Sequence, residues 1–440
     1  MKVYFSSLGC DKNLSDAEHM LFLLSEAGFT FTDDPSEAEV IVVNSCCFIG
    51  DAQEESIEEI LLLSRMKEEG KCRALIVTGC LSERFQDDFE KELPEVDGIL
   101  GISSWNEIVP VVEAALKGLH PHVFKDRDLL CSTRGRIVTT GGYYAYLKIA
   151  EGCDKYCTYC VIPYVRGKYR SVPMEDLIAE AEALAEDGVK ELILVAQETT
   201  LYGTDLYGRK TLPELLTKLA AIEGLHWIRL MYCYPEEITD ELIDTVAACP
   251  KIVPYLDIPV QHISDDVLKR MNRRTTKDEL LSRIAELRRR IPSLTLRTTL
   301  ITGFPGETEE EFAELLSFVK TAKFERLGAF PYSKEDGTKA AKMKGQIPKK
   351  VKLSRRNAVM AAQQQVSLSH ARSMIGKELE VLVEGRLVSE EGVYVGRSVM
   401  DAPDVDGRVF FESGAEHLSG DFVHIRVTGA EAYDLYGELL

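Results

Sequence analysis

The stretch Ala150-Glu-Gly-Cys153-Asp-Lys-Tyr-Cys157-Thr-Tyr-Cys160 decides the reading of this chain. Three cysteines spaced C-x3-C-x2-C can wrap three irons of a cubane cluster, whereas a closed zinc site needs a fourth ligand. None lies near in sequence, the nearest histidines being His122 and His226. A cubane held by three thiolates keeps one iron open. A small molecule with adjacent amino and carboxylate groups can occupy that iron. The competing reading is three incidental or zinc-binding cysteines.

Working outward, 440 residues are too many for one ordinary core, and two or three domains are expected. The apolar share of 45% supports a globular chain. No signal-peptide pattern and no eighteen-residue apolar run is found, which predicts a cytoplasmic protein with no membrane contact. Eleven cysteines in such a compartment point to metal or redox chemistry rather than disulfides. Cys47, Cys72, Cys131, Cys233 and Cys249 have no partner pattern and read as buried thiols. A formal charge of -20 disfavours nonspecific grip on phosphate backbones and leaves a basic protein partner open.

Residues 1 to 119 alternate strand and helix, as in an open, mostly parallel α/β sheet. Lys2 to Ser7, Glu39 to Asn44 and Arg73 to Thr78 read as strands, and Ser15-Asp-Ala-Glu18 as a capping box opening a helix. Cys10, Cys46 and Cys80 each fall just past the carboxyl end of one of these strands. That edge is where ligands bind in open α/β sheets, so three loops can bring three thiols to one cluster. Packed small thiols are the alternative. Residues 120 to 142 read as a linker.

Strands are expected at 143 to 150, 189 to 197, 226 to 234, 253 to 260, 294 to 302 and 324 to 330, with helices between. Thr211-Leu-Pro-Glu214, Thr276-Lys-Asp-Glu279 and Thr308-Glu-Glu-Glu311 read as capping boxes. Six βα units over 143 to 333 make a partial (β/α) barrel, whose open side suits a macromolecular substrate. The cysteine motif follows the first strand, at the carboxyl face where barrels carry their chemistry. Gln197, Glu198, Arg229, Gln261, His262, Arg297 and Thr298 lie on or end other strands, each with a bland alternative as a core or surface polar residue. His262 reads better as a structural hydrogen-bonder than as a ligand.

Residues 334 to 372 form a basic linker and helix, with nine Lys or Arg against two acids between 334 and 356. A solvated linker is the plain reading of that run and a nucleic-acid contact the sharp one. Residues 373 to 440 break into short alternating runs, a small antiparallel β-barrel. They carry fourteen Asp or Glu and five Lys or Arg, a formal -9. RNA affinity needs the opposite sign.

The cysteine motif, with the aromatic Tyr159 before its last cysteine, closely resembles that of radical S-adenosylmethionine enzymes. Gly9-Cys10-Asp-Lys-Asn13, Val43-Asn44-Ser45-Cys46 and Thr78-Gly79-Cys80 resemble the amino-terminal signatures of the methylthiotransferase family, and residues 373 to 440 resemble a TRAM domain. The resemblance implies two 4Fe-4S clusters, one on Cys153, Cys157 and Cys160 and one on Cys10, Cys46 and Cys80, with Cys47 beside Cys46 as a rival. It further implies S-adenosyl-L-methionine, with Tyr159, Gln197, Glu198 and Arg229 as cofactor contacts, and an external electron donor. The first cluster would cleave the cofactor to a 5'-deoxyadenosyl radical, and the second would present sulfur to the resulting carbon radical.

Val195-Ala-Gln-Glu-Thr-Thr200 and Lys12 look like the ribosomal-protein branch, in which the acid at Glu198 is often Asp. The implied substrate is an aspartate β-carbon on protein twelve of the small ribosomal subunit. A basic ribosomal protein would then meet the acidic carboxyl-terminal domain, with tRNA, the substrate of the other branch, less expected.

Overall fold

The computed structural model describes residues 1–131, 135–390 and 392–440. Ser132, Thr133 and Arg134 of the expected linker and Glu391 of the acidic tail lie outside the described residues. Six parallel strands form the first sheet: β1 (Lys2–Ser7), β2 (Thr30–Phe31), β3 (Val40–Ser45), β4 (Ala74–Gly79), β5 (Gly98–Leu100) and β6 (His122–Val123), in the order β2-β1-β3-β4-β5-β6. Every residue of β3 and β4 is buried, because helices cover both faces. Ile41, Val43, Leu75 and Val77 pack with Ile60 and Leu63 on one face. Val40, Val42, Ala74 and Ile76 pack with Met20, Leu24 and Val112 on the other.

Two local expectations are corrected here. The first helix spans Asp11–Glu26, so Ser15 lies inside it and Cys10, in extended backbone, precedes it. Glu18 is not a capping residue: its carboxylate accepts from Arg136 Nε (2.6 Å) and Thr139 N (2.6 Å), tying the helix to the stretch read as a linker. That stretch also contributes β6 to the sheet.

The second sheet contains β7 (Tyr144–Lys148), β10 (Glu191–Val195), β11 (Trp227–Leu230), β12 (Ile252–Asp257), β13 (Thr295–Thr302) and β14 (Arg326–Pro331). They are parallel and neighbour one another in chain order, an open half-barrel. Two-residue strands β8 (Ala150–Glu151) and β9 (Arg170–Ser171) pair antiparallel just beyond β7. Thr276 and Thr308 form full capping boxes, as expected. Thr211 does not: its hydroxyl donates to Tyr202 O instead.

After the helix Lys349–Ser373, β15 (Glu378–Arg386), β16 (Val393–Ser398), β17 (Val409–Glu412), β18 (Phe422–Ala430) and β19 (Leu435–Leu439) close a barrel in the order β15-β16-β17-β19-β18. One pairing departs from the antiparallel expectation, because β17 and β19 run parallel. This small barrel fills part of the inner face of the half-barrel. Leu382 and Ala402 pack among Tyr144, Tyr146, Ile193, Trp227 and Tyr255. Arg397 pairs with Glu191 (2.6 Å), Arg326 with Asp401 (2.5 Å), and Tyr255 Oη donates to Asp406 (2.6 Å). The sheet stays open between β7 and β14, as expected, with the carboxyl-terminal domain covering part of its inner face.

Candidate active site

The cysteine loop is shaped by two backbone features. Gly152 has φ +79, and a Cβ there would lie 2.0 Å from Lys168 O, so the position just after β8 admits only glycine. Tyr156 adopts φ 49, which curls the chain between the first two cysteines. Thr158 N donates to Met271 O (3.0 Å) and its hydroxyl to Arg270 O (2.8 Å), pinning the loop to the chain after β12. Cys153 and Cys157 are buried and Cys160 half-buried. Burial pushes the Cys153 thiol up to about 12 and the Cys160 thiol higher, so a thiolate here needs a compensating cation such as iron.

Cys10, Cys46 and Cys80 follow β1, β3 and β4, three neighbouring strands of one sheet. Gly9 has φ +93, and a Cβ there would lie 2.8 Å from Cys46 Sγ, which brings the first two loops into contact. Asn13 joins the group: its Nδ2 donates to Ser45 O (3.0 Å), and Cys80 Sγ lies 3.7 Å from its Oδ1. Burial raises both the Cys46 and Cys80 thiols. Cys47 is turned away, its Sγ donating to Cys80 O (3.1 Å) within an apolar cluster of Val77, Leu81 and Val161.

Among the described residues no three His, Cys, Asp or Glu side chains converge on a point that could hold a single ion. A cubane takes one thiolate per iron, so its ligands bind separate irons and need not converge on one point, unlike the ligands of a zinc site. Two triads of thiols, each with two members buried and one half-buried, are compatible with that donor set.

The carboxyl edge of the half-barrel carries buried polar atoms without hydrogen-bond partners among the described residues: Gln197 Oε1, Glu198 Oε2, Gln261 Oε1, Arg273 Nε and Arg273 Nη1. Buried polar groups are normally satisfied, so this set suits a bound molecule bearing amino, carboxylate and hydroxyl groups. Gln197 Nε2 donates to Glu151 (2.9 Å), while the fully buried Glu198 accepts from Thr200 N (3.0 Å). Burial pushes the Glu198 carboxyl up to about 8 despite Lys155 at 3.9 Å. Tyr159 packs edge-on to Phe304.

Arg229 is a correction. It is fully buried in mid-strand and bound to Glu191 (2.7 Å) and Val399 O (2.9 Å), so its guanidinium holds the carboxyl-terminal barrel instead of reaching the carboxyl edge. Arg297 likewise pairs with Asp257 (3.0 Å) and stands 3.6 Å from Asp406. The Nδ1 atom of His262 accepts from Ser264 N (3.0 Å), in keeping with a structural role.

Sequence reasoning missed the residue that joins the half-barrel to the side chains around the amino-terminal triad. Arg166, fully buried, bonds Glu151 (2.8 Å), stands 3.5 Å from Asp16 and donates to Asn13 Oδ1, the atom beside Cys80. Lys148 bridges the same acids from β7. Arginine six residues after Cys160 carries no pattern of its own. Only the three-dimensional meeting of the two sheets gives it meaning.

Residues 147–319 match the Radical SAM superfamily, residues 2–101 the uncharacterized protein family UPF0004, and residues 375–440 the TRAM domain. Among solved structures, the radical S-adenosylmethionine methyltransferase TsrM from Kitasatospora setae superposes with a TM-score of 0.55 over 74% of this chain and 72% of that one. At 14% identity that likeness concerns the fold alone. The ribosomal protein uS12 methylthiotransferase RimO of Lachnoclostridium phytofermentans is 57% identical over 438 residues, covering 99% of each chain. The RimO protein of Pelotomaculum thermopropionicum is 50% identical over 446 residues, 100% of this chain and 99% of that one. By this full-length identity the chain belongs to the RimO family of radical S-adenosylmethionine methylthiotransferases.

Proposed function

We propose that the chain attaches a methylthio group to ribosomal protein uS12, at the β-carbon of an aspartate. The observation that carries this reading is the 57% identity, over nearly the whole of both chains, to a uS12 methylthiotransferase. A 4Fe-4S cluster and S-adenosyl-L-methionine are the shared equipment of the superfamily. In this reading Cys153, Cys157 and Cys160 hold that cluster, and Cys10, Cys46 and Cys80 hold a second one. When bound, the first supplies the electron that cleaves the cofactor and the second supplies the sulfur.

The chain's own residues orient the reactants. Gln197, Glu198, Gln261 and Arg273 offer the unpaired donors and acceptors that fix a polar cofactor, and Tyr159 covers the cysteine loop from the Phe304 side. Glu151 takes bonds from Gln197 and Arg166, so it connects the cofactor edge to the side chains around Cys80. Burial of Cys46, Cys80, Cys153 and Cys157 limits water at both triads, while Cys10 and Cys160 stay half-buried.

The acidic carboxyl-terminal domain supports a basic partner in a narrower sense than its count of acids implies. Asp401 and Asp406 face the half-barrel, while Glu390, Glu412, Glu416 and Glu438 are exposed to solvent. Mass spectrometry of ribosomal proteins and tRNA from cells lacking the gene tests the reading. The expected result is uS12 lighter by one methylthio group with tRNA unaltered, and methylthio loss from tRNA alone overturns it.

A further inference from the structure

The fold splits the basic stretch 334 to 356 in two. Lys352 and Arg355 turn inward: Lys352 Nζ donates to Tyr332 O (2.9 Å), and Arg355 pairs with Glu307 (2.9 Å) and Glu309 (2.6 Å). Lys334, Lys339, Lys342, Lys344, Lys349 and Lys350 are exposed, and Arg356 is half-buried. Of the two acids, Glu335 is buried and bound to Arg84 (3.1 Å) and Gly50 N (2.9 Å), which leaves Asp336 outside. A chain of formal charge -20 thus concentrates six free ammonium groups on one short turn and helix start.

The position of that turn is fixed. Ala340 N donates to Thr158 O (2.8 Å), inside the C-x3-C-x2-C loop, and Ala340 and Met343 pack with Tyr159, Phe304 and Tyr332. Gly345 O accepts from Gly306 N (2.9 Å), and Glu335 anchors the near end to the amino-terminal domain. The lysines therefore rim the outside of the loop that carries Cys157 and Cys160.

We propose that this lysine rim is the docking surface for a small acidic one-electron carrier protein, of the flavin or iron-sulfur class, that reduces the cluster on Cys153, Cys157 and Cys160. The inference rests on the reading that those cysteines hold the reducible cluster. Reductive cleavage of one cofactor takes one electron from outside the chain. The carrier loses that electron and is oxidised, and the cluster gains it and is reduced. Such encounters bury little area, below ~1,200 Å². Complementary charge raises their on-rate without lasting affinity, as suits a carrier that must leave after delivery. An RNA strand could also meet ammonium groups, but phosphate contacts give no reason for the rim to lie against Thr158.

The test compares 5'-deoxyadenosine formation driven by a reduced, acidic flavin mononucleotide carrier with formation driven by dithionite. Two triple variants are measured beside the parent: Lys334→Glu with Lys339→Glu and Lys342→Glu, and the milder Gln triple at the same positions. The carrier-driven rate at low salt is expected to fall about 10-fold or more in the Glu triple, and less in the Gln triple. Its salt dependence flattens in both, while the dithionite-driven rate is unchanged. An unaltered carrier-driven rate overturns the proposal, as does a parallel fall with dithionite. It is also overturned if the variants lose affinity for small-subunit ribosomal RNA yet keep the carrier-driven rate. Absence of dithionite-driven cleavage in the unaltered protein brings down the cluster assignment itself, and the docking site with it.

Discussion

Cys153, Cys157 and Cys160 come from eight consecutive residues, while Cys10, Cys46 and Cys80 come from three strand ends spread over seventy-one. The first triad is set by local backbone geometry: Gly152 and Tyr156 supply the two left-handed turns that curl one loop. The second exists only because β1, β3 and β4 are neighbours in one parallel sheet, with Gly9 and Asn13 closing the space between loops. A local site survives as long as its loop does. An assembled site depends on the whole sheet, and its ligands are separable from it one loop at a time.

The largest effect expected from this contrast is on the chemistry. Replacing Cys153, Cys157 and Cys160 by Ala is predicted to remove about four of about eight irons and to abolish 5'-deoxyadenosine formation. Replacing Cys10, Cys46 and Cys80 removes the other half and abolishes methylthio product, yet leaves 5'-deoxyadenosine formation in place. Iron analysis and product chromatography under anaerobic conditions read both. If the first variant still cleaves the cofactor reductively, or the second still makes full product, the division of labour between the triads is wrong.

A second, smaller effect belongs to the junction. Arg166 and Lys148 are the cations bound to the buried acids Glu151 and Asp16. Truncating one member of a buried ion cluster leaves uncompensated charge, so Arg166→Ala is predicted to cost the metal-free protein about 3 to 5 kcal/mol. Arg166→Lys keeps the charge and recovers more than half. Denaturant unfolding of both variants checks this. Equal stability of the Ala variant and the parent would mean that the two domains are not coupled through this residue.

The same division between local and assembled features explains what could be read from the sequence. Strands were legible to within a few residues, because apolar runs bounded by Gly and capping Thr report local backbone preference. The cysteine loop was legible for the same reason. Arg166 was not, since its partners Asn13 and Asp16 are about 150 residues away and its type is common. Ser15-x-x-Glu18 fits the capping box in sequence, but Glu18 is drawn to Arg136 and the helix begins at Asp11. Arg229 reads as a cofactor contact from its place on a strand, but position along a strand does not say which side chains a distant domain will bury. The acids of residues 373 to 440 read as one field in the sequence, but two of them, Asp401 and Asp406, pair with Arg326 and Arg297 of the half-barrel. Deleting that domain would strip Glu191 of Arg397, Arg229 of Val399 O and Arg326 of Asp401, so deletion reports stability before it reports substrate binding.

The smallest effect separates two adjacent cysteines. Cys46 and Cys47 are indistinguishable by type, and only their directions differ: Cys46 lies against Gly9 at the thiol triad, whereas Cys47 points into the apolar cluster beneath it. Burial pushes the Cys47 thiol up to about 12, so it stays protonated at neutral pH and serves as a donor to Cys80 O. Cys47→Ala removes one buried sulfur and one weak hydrogen bond, for a predicted cost of about 1 kcal/mol. Its iron content and methylthio yield are expected to match the parent. Cys46→Ala, by contrast, is expected to lose the iron of the amino-terminal triad. The pair is read by iron analysis alongside a thermal melt, and the opposite outcome, iron lost with Cys47 and kept without Cys46, would transfer the ligand assignment to the neighbouring residue.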